Sequence, residues 1–212
     1  LKNNFKEYSL ERKQMIPKIE LPEYSDWDIY EYIKHIDWDF SGGKWPVLKE
    51  LYEEGNIQER YWLFECAKSL HDKDLHNKIN YWDRLEIEAD IIKDIGEKLD
   101  DCLFAYFNTF KHYIDLFWEC GSIVGPGRGS ATGFLSNYLL GITQLDPVRW
   151  NLPYWRFLNK ERAELPDIDI DLAPSKRPEI FRRIRQERGE LGLIQVATFG
   201  TEGTKSAILT AC

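Results

Sequence analysis

Apolar side chains recur at i, i+3, i+4 and i+7 from Asp26 onward, as Ile29, Tyr32, Ile33 and Ile36, which predicts an amphipathic helix closed by Ser41-Gly42-Gly43. Pro46 suits the first turn of a second helix, and Leu48, Leu51, Ile57, Trp62 and Leu63 keep a helical spacing to about Leu70. His71 to Lys78 reads as a loop or a solvated helix end. Tyr81 to Ile95 gives another helix, with Leu85, Ala89, Ile92 and Ile95 on one face and Gly96 as the expected stop. Leu103 to Cys120 carries Phe104, Phe107, Phe110, Ile114 and Phe117 at near-helical spacing, an aromatic stripe expected in a core. The residues through Pro17 and Pro22 read as an extended lead-in.

The pattern changes at Gly121. Ser122-Ile123-Val124 suits a short strand, and it runs into Gly125-Pro126-Gly127-Arg128-Gly129-Ser130. Ala131, Phe134, Leu135, Tyr138, Leu139 and Ile142 then fall on one face of a predicted helix. In Pro166-Asp167-Ile168-Asp169-Ile170-Asp171-Leu172 the alternation has period two, the signature of a strand with three aspartates on one side. Pro178 can open a helix with Ile180, Phe181 and Ile184 inward, and Leu193 to Phe199 reads as a last strand. The expected fold class is α+β: a mixed sheet flanked by helices, with a helix-rich N-terminal part.

Composition narrows the class. Of 212 residues 43% are hydrophobic and 14% aromatic, with eight Trp, enough for a sizeable core and against disorder along the whole chain. The longest uncharged run, Gly129 to Leu145, contains Ser, Thr, Asn and Gln, so no membrane span is expected. Leu1 to Gln14 shows no signal-peptide pattern. The cysteines at 66, 102, 120 and 212 form no CxxC pair, which suits the reduced thiols of a cytoplasmic protein. Net charge is −8, but residues 1–120 hold 16 Lys+Arg against 26 Asp+Glu while residues 121–212 hold 12 against 10. The second part is therefore locally basic around a small acidic focus.

Two segments carry chemistry. Strand, glycine turn and helix is an arrangement in which backbone N–H groups meet a phosphate, with Gly127 and Gly129 removing Cβ atoms, Ser130 supplying a hydroxyl and Arg128 a charge. A plain tight turn would use the same residues. The lysine of a P-loop is missing, and the spacing from Gly127 and Gly129 reaches Gly133 one residue late for a dinucleotide fingerprint. The aspartates two apart on a strand would sit about 7 Å apart at Cα and could share a divalent cation, Mg²⁺ or Mn²⁺ given oxygen-only ligands. A solvated edge strand is the plain alternative. An EF-hand fails, because its sixth and twelfth positions would be Leu172 and Pro178. Arg156 and Arg162 lie between the two segments and could face a triphosphate. Lys176 to Arg188 holds six basic residues and two acidic ones, either a solvated face or a contact with a nucleic-acid backbone through Arg182 and Arg183.

A Gly-Ser turn followed 37 residues later by a D-x-D segment fits two-metal nucleotidyl transfer. The blocks "VGPGRGSATGFLSNYLLGITQLDP", "RFLNKERAELPDIDIDL" and "ATFGTEGTKSAI" closely resemble bacterial C-family replicative DNA polymerases, the alpha subunit of DNA polymerase III, over about residues 81–212. The resemblance implies a palm similar to the polymerase β nucleotidyltransferase fold over residues 36–198, a lead-in over 1–35 and the start of a thumb over 199–212. It implies Asp167 and Asp169 as catalytic, metal-binding carboxylates, with Asp171 at a less consistently acidic position. Gly127, Arg128, Gly129, Ser130, Arg156 and Arg162 would bind the incoming triphosphate, and Lys205 lies where palm gives way to thumb, a DNA contact together with Arg182 and Arg183. The implied activity is template-directed transfer from a dNTP to a primer 3′-OH with two Mg²⁺ or Mn²⁺ ions. Primer-template DNA, a sliding clamp and other replisome subunits would be the partners. Family members are several times longer, and their third catalytic carboxylate comes after the thumb, beyond Cys212. The isolated 212 residues are therefore expected to be inactive. Trp155 stands where an acidic residue is common in the family. A non-catalytic scaffold that keeps the palm and binds nucleotide or a partner is the rival reading.

Overall fold

Helix α4, Ile79–Leu99, is the longest helix among the described residues. The computed structural model describes residues 16–34, 43–162 and 164–196. Among these, α1 is Asp26–Ile33, α2 Pro46–Glu53, α3 Ile57–Asp72, α5 Phe104–Glu119, α6 Leu135–Leu139 and α7 Arg177–Arg188. Residues up to Ala173 form one compact unit and those from Pro174 a second, which holds α7.

In the first unit α3 packs on α1, α2 and α5, while α4 packs on α2, α5 and α6. The expected periodic positions supply the core: Ile29, Ile33, Leu48, Leu51, Trp62, Leu63, Leu85, Ile92 and Ile95 are all buried. From α5, Phe104 meets Trp62 edge-on at 5.0 Å, and Phe107 stacks on Phe134 at 6.1 Å. Phe134 in turn lies 5.0 Å from Phe157, so the aromatic stripe runs on beneath the loops that follow α5.

Two carboxylates of α4 cap other helices. Trp45, the residue before α2, offers no capping side chain; Glu86 accepts the Val47 and Leu48 N–H groups instead, each at 2.9 Å. Glu88 does the same for α6, as described below.

Several expectations are corrected. The expected α+β fold with a mixed sheet is overturned: among the described residues no strand forms, and Val124 and Leu172 make one isolated antiparallel bridge. The aspartate segment does alternate, with Ile168 buried and Asp167, Asp169 and Asp171 exposed. Period two, however, reports only that one side of an extended chain lies on an apolar surface, and it does not require ladder partners on both edges. Residues 193–196 form no strand either, and Ile194 and Val196 are exposed. The helical run expected from Pro46 to Leu70 is two helices. Asn56 starts α3 through a capping box, accepting from Gln58 and Glu59 N–H at 2.9 and 3.2 Å while Glu59 accepts the Asn56 N–H at 2.7 Å. Gly96 does not stop α4, which continues to Leu99 and ends at Asp100 in a left-handed conformation. Gly96 instead gives room to the next turn, since a Cβ there would lie 2.8 Å from the Asp101 carbonyl oxygen. Among the described residues no helix is long and apolar enough to cross a membrane.

Candidate functional site

The glycine turn is held from several sides. The Gln144 N–H donates to the Pro126 carbonyl at 2.8 Å, and Thr132 Oγ1 donates to the Gly129 carbonyl at 2.9 Å. Gly127 has φ +132° and Gly129 φ +61°, backbone conformations that disfavour a side chain. At Gly127 the space is also closed, because a Cβ would meet the Thr132 methyl at 2.6 Å. Gly129–Gly133 is a 3-10 turn, and the helix expected over 131–142 is reduced to α6.

That difference changes how a phosphate could be bound. The first N–H groups of α6 are already occupied: Leu135 and Ser136 donate to Glu88 Oε1 and Oε2 at 2.6 and 2.8 Å. Glu88 is 0% exposed, and Arg84 Nε donates to its Oε1 at 2.9 Å. Burial pushes the Glu88 carboxyl up to about 7, while the Arg84 charge and the two N–H groups pull it down. The helix start is therefore filled by the protein's own carboxylate. What remains for a phosphate is the exposed Gly129-Ser130 edge of the turn.

The aspartate segment begins at Pro166, whose carbonyl accepts a hydrogen bond from the Tyr106 hydroxyl of α5. Burial and the nearby Asp167 carboxylate raise the Tyr106 phenol above its usual range. At the other end Gly125 N–H donates to the Asp171 carbonyl at 2.9 Å, and Ala173 N–H donates to Ser122 Oγ at 3.1 Å. Glycine turn and aspartate segment thus run side by side. Asp167, Asp169 and Asp171 all face solvent, so water screens the repulsion between their carboxylates.

The predicted site residues are brought together in part. Ser130, Arg156, Arg162 and Asp167 line one pocket of about 200 Å³, with Trp155 at its edge, 59% exposed. An adjoining pocket of about 300 Å³ lies between Gly129, Ser130, Thr132 and Gly133 on one side and Leu152, Pro153 and Arg156 on the other. Arg128 points elsewhere: its guanidinium lies 3.4 Å from the Asp171 carboxylate, the two side chains being 64% and 61% exposed. Arg162 also pairs with Glu164 at 3.3 Å. Gly127 and Asp169 line neither pocket. In the second unit, Arg182 is held by Glu179 at 2.6 and 2.9 Å and by Gln186 at 2.8 Å. Arg183 lies on the same helix, and Lys205 falls outside the described residues. Arg84 and Glu88 were not anticipated as site residues. Glu88 sits three positions after Leu85 and four before Ile92, on the apolar face of α4, with Arg84 one turn earlier.

Residues 47–212 match the family described as the bacterial DNA polymerase III alpha NTPase domain. The chain belongs to this family. The match begins upstream of the resemblance seen in the sequence and takes in α2 and α3. Among relatives, the chain is 38% identical to a probable DNA polymerase, YorL, of Bacillus subtilis (strain 168), over 97% of this chain and 16% of that protein. It is 36% identical to the DNA polymerase III subunit alpha of the same organism, over 73% of this chain and 13% of the relative. Identity to the Campylobacter jejuni DNA polymerase III subunit alpha is 35%, over 76% of this chain and 14% of that protein. The chain thus spans about a sixth or less of the length of these relatives.

Proposed function

We propose that this protein is a replicative, DNA-directed DNA polymerase that joins the α-phosphate of a dNTP to a primer 3′-OH, releasing pyrophosphate. One observation carries the reading: Ser130, Arg156, Arg162 and Asp167, which lie up to 37 residues apart in sequence, converge on one solvent-accessible pocket. Two guanidinium groups, a hydroxyl and the Gly129-Ser130 backbone suit a triphosphate. Arg156 and Arg162 would neutralise charge that builds on the phosphate oxygens during transfer.

Asp167 and Asp169 offer exposed oxygen donors of the kind that suit Mg²⁺ or Mn²⁺. Among the described residues no group of three or more His, Cys, Asp or Glu gathers to hold a metal ion. The two aspartates would therefore supply part of a coordination shell, with phosphate oxygens and water among the other ligands. When bound, such ions acidify the attacking hydroxyl and stabilise the leaving pyrophosphate. Asp171, paired with Arg128, ranks behind them as a ligand. Primer-template DNA would be the second substrate, with Arg182, Arg183 and Lys205 as backbone contacts; a sliding clamp and other replisome subunits would be partners of this cytoplasmic enzyme.

Primer extension by the protein as encoded, with dNTPs and Mg²⁺, tests the proposal. Asp167→Asn and Asp169→Asn should each lower the rate by about 10³-fold or more while the fold is kept. A wild-type protein that binds nucleotide but extends no primer would support the non-catalytic scaffold instead.

A further inference from the structure

Arg84 lines neither pocket, yet it touches both walls of the larger one. Its Nη2 donates to the Gly133 carbonyl at 2.7 Å and to the Leu152 carbonyl at 2.9 Å. Gly133 ends the turn that begins with Gly129 and Ser130, and Leu152 leads into Pro153 and the Tyr154–Arg156 turn on the opposite side. The guanidinium also lies over the Tyr154 ring, 4.6 Å from its centroid. Its side chain is 15% exposed, and its remaining direction is fixed by Glu88, which in turn holds Leu135 and Ser136 just past the turn. The walls meet so closely behind the pocket that a Cβ on Gly133 would stand 2.6 Å from the Pro153 carbonyl oxygen.

We propose that Arg84 and Glu88 are positioning residues that clasp the Gly129–Gly133 turn to the Leu152–Arg156 segment and so set the separation of Ser130 and Arg156 across the nucleotide pocket. A planar fork with donors at fixed angles suits this task. One terminal nitrogen spends both its N–H bonds on the two walls while Nε engages the carboxylate. A lysine would keep the charge and the ion pair, but a single flexible ammonium cannot hold two carbonyls and a carboxylate at fixed angles while lying flat on an aromatic ring. The inference rests on the nucleotide-binding reading for its purpose and on geometry alone for the clasp, so the two can fail separately.

The test compares Arg84→Lys and Gly133→Ala with wild type in the protein as encoded, by amide hydrogen exchange and by primer-extension kinetics. Arg84→Lys should melt within about 3 °C of wild type. Exchange should rise about tenfold or more in residues 128–136 and 150–158, with α4 and α5 unaffected. The dNTP KM should rise about tenfold or more while the KM for primer-template stays within about twofold. Gly133→Ala spreads the same walls with the ion pair intact and should raise the dNTP KM similarly, and the double variant should cost less than the product of the two single effects. Unchanged exchange in both segments, or a rise spread equally over all helices, overturns the clasp. Loosened walls with an unchanged dNTP KM overturn the positioning role. If Arg84→Lys does not fold, Gly133→Ala decides by the same two readouts. A wild type that adds no nucleotide defeats the proposed function, and the exchange pattern then decides the clasp alone.

Discussion

Gly125 donates its N–H to the carbonyl of Asp171 at 2.9 Å, and a Cβ built on Gly125 would stand 2.9 Å from the Cβ of Asp171. The glycine turn and the aspartate segment are therefore joined by a backbone hydrogen bond that depends on a missing side chain. Gly125→Ala should push the segments apart. Forcing atoms into a filled space costs on the order of 1–3 kcal/mol, and here it would also displace Asp171 and strain the bridge between Val124 and Leu172. Chemical denaturation of the variant measures the first effect. Primer extension measures the second, which should exceed what the stability loss alone produces. A variant as stable as wild type would show that the two segments can separate at no cost.

Glu88 gives the stability a pH dependence whose sign follows from its burial. Burial raises its carboxyl to about 7 from an ordinary 4.5, against the pull of Arg84 and of the Leu135 and Ser136 N–H groups. Between those values the unfolded chain has released the proton and the folded chain still holds it. The contribution to stability is therefore full below the unfolded value and lost as pH rises through the folded one. The span corresponds to a change on the order of 3 kcal/mol. Glu88→Gln cannot titrate, so its stability relative to wild type should rise between about pH 5 and about pH 8, as read by urea denaturation at several pH values. Other titrating groups cancel in the difference. Parallel profiles for the two proteins would remove Glu88 as the source.

The capping box of α3 makes a simpler prediction. Asn56 satisfies two N–H groups at the start of that helix, and Glu59 returns the bond. Asn56→Ala should lower stability by about 1 kcal/mol, seen as a lower urea midpoint with an unchanged slope. A changed slope would mean that the substitution altered the unfolded chain as well.

The same box shows why part of the fold was legible in the sequence and part was not. α1, α4, α5 and α7 follow the 3.6-residue period, because each buries one face and periodicity reports burial. Trp62 and Leu63 resume the face of Leu48 and Leu51 across the break between α2 and α3, so apolar spacing hides it, whereas Gly55 and Asn56-x-x-Glu59 mark it and Ile57 at the start of α3 is exposed. The helix over 131–142 was overextended for the converse reason. Phe134, Leu135, Leu139 and Ile142 are buried, yet α6 covers only Leu135–Leu139 of that stretch. Alternation put the three aspartates on one side of a strand; the segment is extended with Ile168 on the opposite, buried side, but alternation could not reveal that Tyr106, Gly125 and Ser122 would hold it in place of flanking strands. Arg84 and Glu88 left one trace, a charged pair four residues apart with its acid on an apolar face. Such a pair signals a buried polar contact without naming the partner.

The three arginines assigned to the triphosphate, Arg128, Arg156 and Arg162, are not equivalent in the structure, and kinetics can rank two of them. Arg156 lines both pockets together with Ser130, whereas Arg128 lines neither and pairs with Asp171 on the surface. An exposed ion pair is worth about 0–1 kcal/mol, so removing Arg128 should change stability little and free Asp171 to move. Removing Arg156 takes a charge from the place where the phosphates would lie. Arg156→Gln should therefore raise the dNTP KM or lower kcat by about tenfold or more, with primer-template affinity kept. Arg128→Gln should change kcat/KM by about threefold or less under the same conditions. Steady-state kinetics with varied dNTP at saturating primer-template separates the two. Equal losses for both variants would mean that Arg128 leaves Asp171 when nucleotide binds and meets the phosphates as Arg156 does.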